Sequence, residues 1–224
     1  MFRTIVVAAL ACAFAAPLHA QPKKSAEQVW NDLYSRREGK EHQFNKFLAE
    51  TVKGRAPGKA LDIGMGQGRN SLFLAALGWE VTGFDIADVA VKQAQAEAQK
   101  RGLKINAMVG DVDKFNYGKG QWDLVIGMYM HEYLNRNAKK VVESLKPGGI
   151  LVVEGIHRDI DKASLTGEKY GYVNNELPKL FAGLRTRTYQ DTVDKADWDR
   201  SGGKPVPVVR FIGEKEAREA AKKK

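Results

Sequence analysis

The 224-residue chain predicts a doubly wound α/β fold, with a mostly parallel seven-stranded sheet closed by an antiparallel C-terminal hairpin. Three observations carry that expectation. From about residue 60 to 145, short apolar runs alternate with amphipathic stretches of helical period, the pattern of βαβ units whose sheet is covered on both faces. A glycine-rich turn, Gly64-Met65-Gly66-Gln67-Gly68, joins the first run to the first amphipathic stretch. Such a turn presents free N–H groups at the positive end of a helix, a cradle for a nucleotide-like ligand. In the last third the alternation stops, and residues 184–191 and 206–212 read as strands joined only by a loop.

In chain order, residues 1–20 have the layout of a signal peptide: Arg3, an apolar run over 5–16, Pro17, and small Ala20 at a cleavage point. The run is too short to span a bilayer comfortably, so a lasting membrane anchor is not expected. The mature chain, 21–224, is expected to be one domain, exported to the periplasm or beyond. Cys12 is the only cysteine and lies inside the leader, which excludes disulfides, thiol chemistry and cysteine-held metal after cleavage. Residues 25–52 read as helical, with Ser25 as cap and a polar break over 34–40. This flank is either a lid over the cradle or a cover for one sheet face. Pro57 marks a turn. Strands follow at 60–63, 80–84, 104–109, 122–127 and 150–154. Helices are expected at 70–77, 88–100 and from about 135 to 145, with Pro147-Gly148-Gly149 turning the chain into the fifth strand. A short helix at 174–181 precedes the hairpin, and a charged helix ends the chain.

Composition is that of a globular protein, 43% hydrophobic and 28% charged. The net charge of +9 lies in scattered lysines and the tail Lys222-Lys223-Lys224, and no basic run is interleaved with aromatics. Nucleic acid is therefore not an expected partner. The turn itself narrows the ligand. A dinucleotide fingerprint needs glycine at its first, third and sixth positions, and the sixth position counted from Gly64 is Arg69. Asp62, two residues before Gly64, would repel a pyrophosphate and suits an ammonium group, so a ligand carrying an amino acid is favoured.

From about Asn45 to Lys215 the chain resembles the class I S-adenosylmethionine-dependent methyltransferases. The motifs that carry the resemblance are Leu61-Asp62-Ile63-Gly64-Met65-Gly66-Gln67-Gly68, Val81-Thr82-Gly83-Phe84-Asp85, Gly110-Asp111-Val112, Trp122 to Tyr129, and Leu145-Lys146-Pro147-Gly148-Gly149-Ile150-Leu151. The resemblance implies a Rossmann-like methyltransferase fold with S-adenosyl-L-methionine as cofactor. It implies that Gly64, Gly66 and Gly68 wrap the methionyl part while Asp62 helps hold the amino group. It further implies that Asp85, with Ile86 beside it, binds the ribose hydroxyls, that Asp111 bonds the adenine amino group, and that Val112 packs on the ring; Gly127 lies at the same site. The small-molecule branch that includes tellurite-resistance and thiopurine-type enzymes is the most similar. Each acid also has a plainer reading as a cap of the turn or helix after its strand. Asp123, at the far end of its strand, reads as structural.

Methyl transfer from a sulfonium is an in-line displacement that requires alignment above all. A base helps where the acceptor must lose a proton. His131, after the fourth strand, is the expected base, with Tyr129 and Glu132 orienting a small-molecule acceptor. Alternatively, His131 caps the next helix and the tyrosines fill the core. His157 is a second candidate base, and Tyr170-Gly171-Tyr172 an acceptor cover or a plain turn. His131, His157 and Glu132 lack the i, i+4 spacing of a helical metal site, so no metal is expected. Two functional readings stand: an exported methyltransferase, or a protein of the same fold that binds the donor without turnover. The second is kept by the leader, because the donor is made in the cytoplasm. A dehydrogenase is a distant third.

Overall fold

The computed structural model describes residues 24–36, 43–160, 170–197 and 204–217. The expected leader and the charged terminal helix lie outside these residues. Strand β1 (Lys59–Ile63) is buried from its second residue onward, as a central parallel strand must be. Alternate residues go to opposite faces: Leu61 and Ile63 join one apolar cluster, Ala60 the other. The remaining strands are β2 (Glu80–Asp85), β3 (Ile105–Val109), β4 (Trp122–Met128), β5 (Leu145–Ile156), β6 (Arg185–Lys195) and β7 (Pro205–Glu214). They form one sheet in the order β3-β2-β1-β4-β5-β7-β6. The first five run parallel, while β7 is antiparallel to both β5 and β6. The expected fold class is the one observed.

Helices close both faces. Helix α5 (His131–Ser144) puts Leu134, Ala138 and Val141 on the face of Leu61, Val125 and Val153. Phe181, beside α6 (Glu176–Leu180), extends that cluster. On the other face α2 (Lys46–Val52) and α3 (Arg69–Ala76) bring Phe47, Leu48 and Leu74 against Ala60, Leu124 and Val152. Helix α4 (Asp88–Lys100) packs on β3 and carries α1 (Ala26–Ser35), which itself buries no residue. Ser25 and Gln28 form a reciprocal capping box at the start of α1.

Three boundaries differ from the expectation, each for a local reason. Helix α5 begins at His131, four residues early, because Met130 at its N-cap supplies no side-chain cap to announce the start. Strand β5 runs through the expected turn at Pro147-Gly148-Gly149. It pairs Leu145 with Trp122, shifts register, and resumes at Ile150 opposite Leu124. Gly148 takes φ +79°, and a Cβ on Gly149 would stand 2.7 Å from the Trp122 carbonyl, so the irregular stretch needs glycine to stay on the sheet. The helix expected over 174–181 is the shorter α6.

Candidate active site

With β1 between β2 and β4, successive crossovers leave β1 in opposite directions, and ligands in such sheets bind outside the carboxyl ends of the strands at that point. The glycine turn lies there. Gly64, Gly66 and Gly68 have φ of 66°, 55° and 78°, and Gly68 closes the turn as the residue before α3. A Cβ on Gly66 would stand 2.6 Å from the Tyr34 hydroxyl of α1, and one on Gly64 would collide with the Met130 sulfur. The cradle is thus walled by a helix on one side and by the segment after β4 on the other.

Behind the turn stand two buried acids. Asp62 accepts a hydrogen bond from the Ser71 hydroxyl at 2.7 Å, and burial pushes its carboxyl up to about 7 despite that bond. Asp85 accepts the N–H of Gly66 and the N–H of Ala87, both at 2.9 Å, so it braces the cradle from the end of β2. Burial raises its pKa, with the two N–H donors opposing the rise. Glycines with no Cβ, a carboxylate behind them and a second acid at the next strand end suit a ligand with an ammonium group and a ribose. The outer residues are arranged differently. Asp111 is half-buried and accepts the N–H of Asp113 at 2.9 Å, the bond of a turn cap. Ile86 is half-buried at the same edge. Val112 packs into the apolar cluster with Phe84 and Tyr117. A Cβ on Gly127 would meet Leu134 of α5 at 2.7 Å, so this glycine serves the packing of helix on strand.

The structure gives Tyr129 a different part from the one expected. Its backbone is left-handed, φ 61°, and its hydroxyl turns away into the sheet, donating to Glu154 Oε1 at 2.6 Å. Burial raises its pKa well above that of a free phenol and the neighbouring Glu154 carboxylate raises it further, so it is no proton acceptor. Glu154, fully buried, also accepts from the Asn45 amide at 2.7 Å and from Arg210 Nε at 2.6 Å. Tyr129 therefore fixes the segment after β4 from behind. His131 occupies the first turn of α5 and does not cap it. Its ring is edge-on to Tyr172 at 4.5 Å and to Tyr170 at 6.0 Å between centroids. Nε2 lies 3.3 Å from Glu176 Oε1, and Nδ1 is buried with no hydrogen-bond partner among the described residues. Burial lowers the His131 pKa, an effect that Glu176 opposes. Glu132 is exposed. His157 is buried beyond the end of β5, bonded to Asn174 Oδ1 at 2.9 Å and to the N–H of Asp159 at 3.1 Å. It is not brought to His131 by any of these bonds.

Glu154, Arg210, Asn45 and Glu176 escaped the sequence reading. Glu154 and Arg210 did leave a signal, a lone charge within an otherwise apolar strand, which marks a buried pair. Glu176 left none, because 45 residues separate it from His131.

Residues 60–149 match the family model of a methyltransferase domain. The chain is 26% identical over 152 residues to a protein named as the probable S-adenosyl-L-methionine-dependent methyltransferase TehB of Haemophilus influenzae, covering 65% of this chain and 52% of TehB. It is 30% identical over 159 residues to a ubiquinone biosynthesis O-methyltransferase of Coxiella burnetii, covering 68% of this chain and 64% of that protein. The chain thus spans between half and two thirds of the length of these relatives. The crystal structure of Haemophilus influenzae TehB superposes with a TM-score of 0.68 at 19% identity, covering 84% of this chain and 67% of the other. The chain thus carries a methyltransferase domain over residues 60–149, whose motifs in order and glycine cradle are those of the class I S-adenosylmethionine-dependent family, and the superposition shows the shared fold.

Proposed function

We propose that this protein transfers a methyl group from S-adenosylmethionine to a small-molecule acceptor by in-line displacement. One observation carries the reading: the glycine cradle backed by Asp62 and Asp85 shares its end of the sheet with a buried histidine whose Nδ1 has no partner among the described residues. Bound in the cradle, S-adenosylmethionine supplies an electrophilic methyl on a sulfonium. The chain supplies the rest. Asp62 and the glycine turn would hold the amino-acid end and Asp85 the ribose, while Met130 lies on Gly64 at the mouth of the cradle. His131 takes the proton that the acceptor loses as its nucleophilic atom bonds to the methyl carbon and the carbon–sulfur pair returns to sulfur. The names of the relatives, one an O-methyltransferase, support a small acceptor.

The test is calorimetric titration of the mature protein with S-adenosylmethionine, followed by an assay for S-adenosylhomocysteine over a panel of small phenols, thiols and oxyanions. Binding and turnover are expected, and Asp85→Ala should weaken donor binding at least about tenfold by removing charge-assisted hydrogen bonds. Absence of binding overturns the reading. Binding with no product over the whole panel favours the second reading, a donor-binding protein without turnover, which the leader-like segment at 1–20 supports. Export itself is part of the proposal. The N-terminal sequence of protein from the periplasmic fraction should begin near residue 21.

A further inference from the structure

We propose that Glu176 is a positioning residue that fixes the His131 imidazole in the tautomer protonated at Nε2, leaving Nδ1 as the bare, proton-accepting atom. The inference rests on the reading of His131 as the base, and adds the element that decides which of its nitrogens acts. The geometry begins at α6. Glu176 stands in its first turn, and its Oε2 accepts the N–H of Val173 at 2.8 Å, which fixes the carboxylate. The other oxygen, Oε1, accepts from the Asn135 amide at 2.7 Å and faces His131 Nε2 at 3.3 Å. A carboxylate oxygen can only accept, so a neutral imidazole completes this arrangement with its proton on Nε2. Asn135 Nδ2, 3.4 Å from the same nitrogen, is committed to Glu176 at the shorter distance and does not compete.

The other side of the ring carries the complementary observation. His131 Nδ1, Asn135 Oδ1 and the Tyr172 hydroxyl are all buried without a hydrogen-bond partner among the described residues, and all three residues belong to this one cluster. Leaving one such atom unpaired costs about 1–3 kcal/mol, so three together, unpartnered among the described residues, mark a place where a bound molecule's polar groups would be stabilised. With Nε2–H facing Glu176, Nδ1 and Asn135 Oδ1 are acceptors and the Tyr172 hydroxyl a donor. That set suits a neutral acceptor molecule presenting an O–H or N–H to Nδ1. Helix α5 places the ring beside the glycine cradle, since its chain neighbour Met130 lies on Gly64.

The charged and titratable groups around the ring come from every element that packs on it: Glu176 from α6, Arg158 from the segment after β5, Glu132 from α5 itself, and Tyr170 and Tyr172 from the loop before α6. Burial and Arg158 favour the neutral ring, while Glu176 and Glu132 favour the charged one, with burial the largest of these effects. The ring is held neutral below its usual range without losing the carboxylate that orients it.

The experiment reads the tautomer directly. In the ¹⁵N-labelled mature protein, a long-range ¹H–¹⁵N correlation of the His131 ring, assigned by its loss in His131→Asn, is expected to show the proton on Nε2 and a bare Nδ1 at neutral pH. In Glu176→Gln the side-chain oxygen stays on the Val173 N–H, the amide NH₂ takes the place of Oε1 facing Nε2, and Asn135 turns its amide so that Oδ1 accepts from it, so the ring proton moves to Nδ1. That is the wrong tautomer for a base, as when an orienting carboxylate is replaced by an amide in a serine-protease triad. Donor binding by calorimetry should be unchanged in Glu176→Gln, which shows that the fold survives. Its kcat with the best acceptor of the panel should fall at least about tenfold, with the donor KM unmoved. A wild-type ring protonated on Nδ1, or a Glu176→Gln ring still protonated on Nε2, overturns the proposal. Full turnover by His131→Asn beside the expected tautomer leaves the orienting bond standing and overturns instead the assignment of His131 as base.

Discussion

Asp62 is an acid only 2% exposed, held by one serine hydroxyl, and its carboxyl is raised from 3.8 to about 7. A folded-state pKa above the unfolded one means that the native protein binds the proton more tightly. Native stability from this group is therefore full below about pH 4 and is lost as pH rises to about 7. Over that range the melting temperature of the free protein should fall relative to Asp62→Asn, whose amide does not titrate. The proposed pairing with the donor's ammonium group draws on the ionised form, so donor affinity should weaken below about pH 7 in the native protein and stay flat in the variant. Calorimetry across pH checks both. A wild-type affinity indifferent to pH would remove Asp62 from the donor site. The placement of Asp62 and Asp85 at the ends of β1 and β2 was legible in the sequence because it follows from short spacings to the glycine turn and between strands. Tyr129 was misread because a left-handed non-glycine residue reverses the direction in which its side chain leaves the backbone, and no local spacing announces that.

Helix α1 has a standing among the elements that only its contacts reveal. It buries no residue of its own, yet Asn31 donates to Asp88 at 2.7 Å and accepts the N–H of Val89 at 3.2 Å, which ties it to α4. The Gln93 amide reaches the Tyr34 carbonyl at 3.4 Å, and the Tyr34 hydroxyl overhangs Gly66. An element that adds little apolar burial adds little to stability, but one that overhangs the cradle slows ligand escape. Asn31→Ala should raise the donor Kd roughly tenfold through a faster off-rate, with the melting temperature of the free protein changed by no more than about 2 °C. Stopped-flow displacement and a thermal melt test this; an unchanged off-rate would make α1 a mere cover for α4. Of the two readings the sequence left for this flank, the position of Tyr34 favours the lid. Helix boundaries were legible where caps and glycines marked them. The span 88–100 was read as it stands because Gly102 follows it closely, whereas the start of α5 was hidden behind a methionine.

Across the molecule, the sheet edge is held together by a buried charge cluster that joins distant parts of the chain. Glu154 on β5 takes Arg210 from β7, Tyr129 from the end of β4, and Asn45 from the cap of α2. Arg210 also bonds Asp194 on β6 at 2.8 Å, and the Asp197 N–H donates to the Tyr129 hydroxyl at 3.1 Å. Arg210→Met leaves Glu154 charged, buried and without its cation, and should cost about 3–5 kcal/mol of unfolding free energy. Adding Glu154→Gln removes the stranded charge while keeping an acceptor for Tyr129 and Asn45, so the double variant should recover a large part of that loss. Urea denaturation of the set decides it, and additive losses would mean that the pair is not coupled. The same cluster has a consequence in time. Arg210 follows Glu154 by 56 residues, which at ribosomal rates is roughly 3 to 11 seconds of synthesis. Until β7 emerges, the five parallel strands carry a carboxylate that they have no means of neutralising in their interior. The buried carboxylate thus gains its cation only once β7 has been made, and under the proposed export a machinery that threads unfolded polypeptide would have those seconds in which to take the chain.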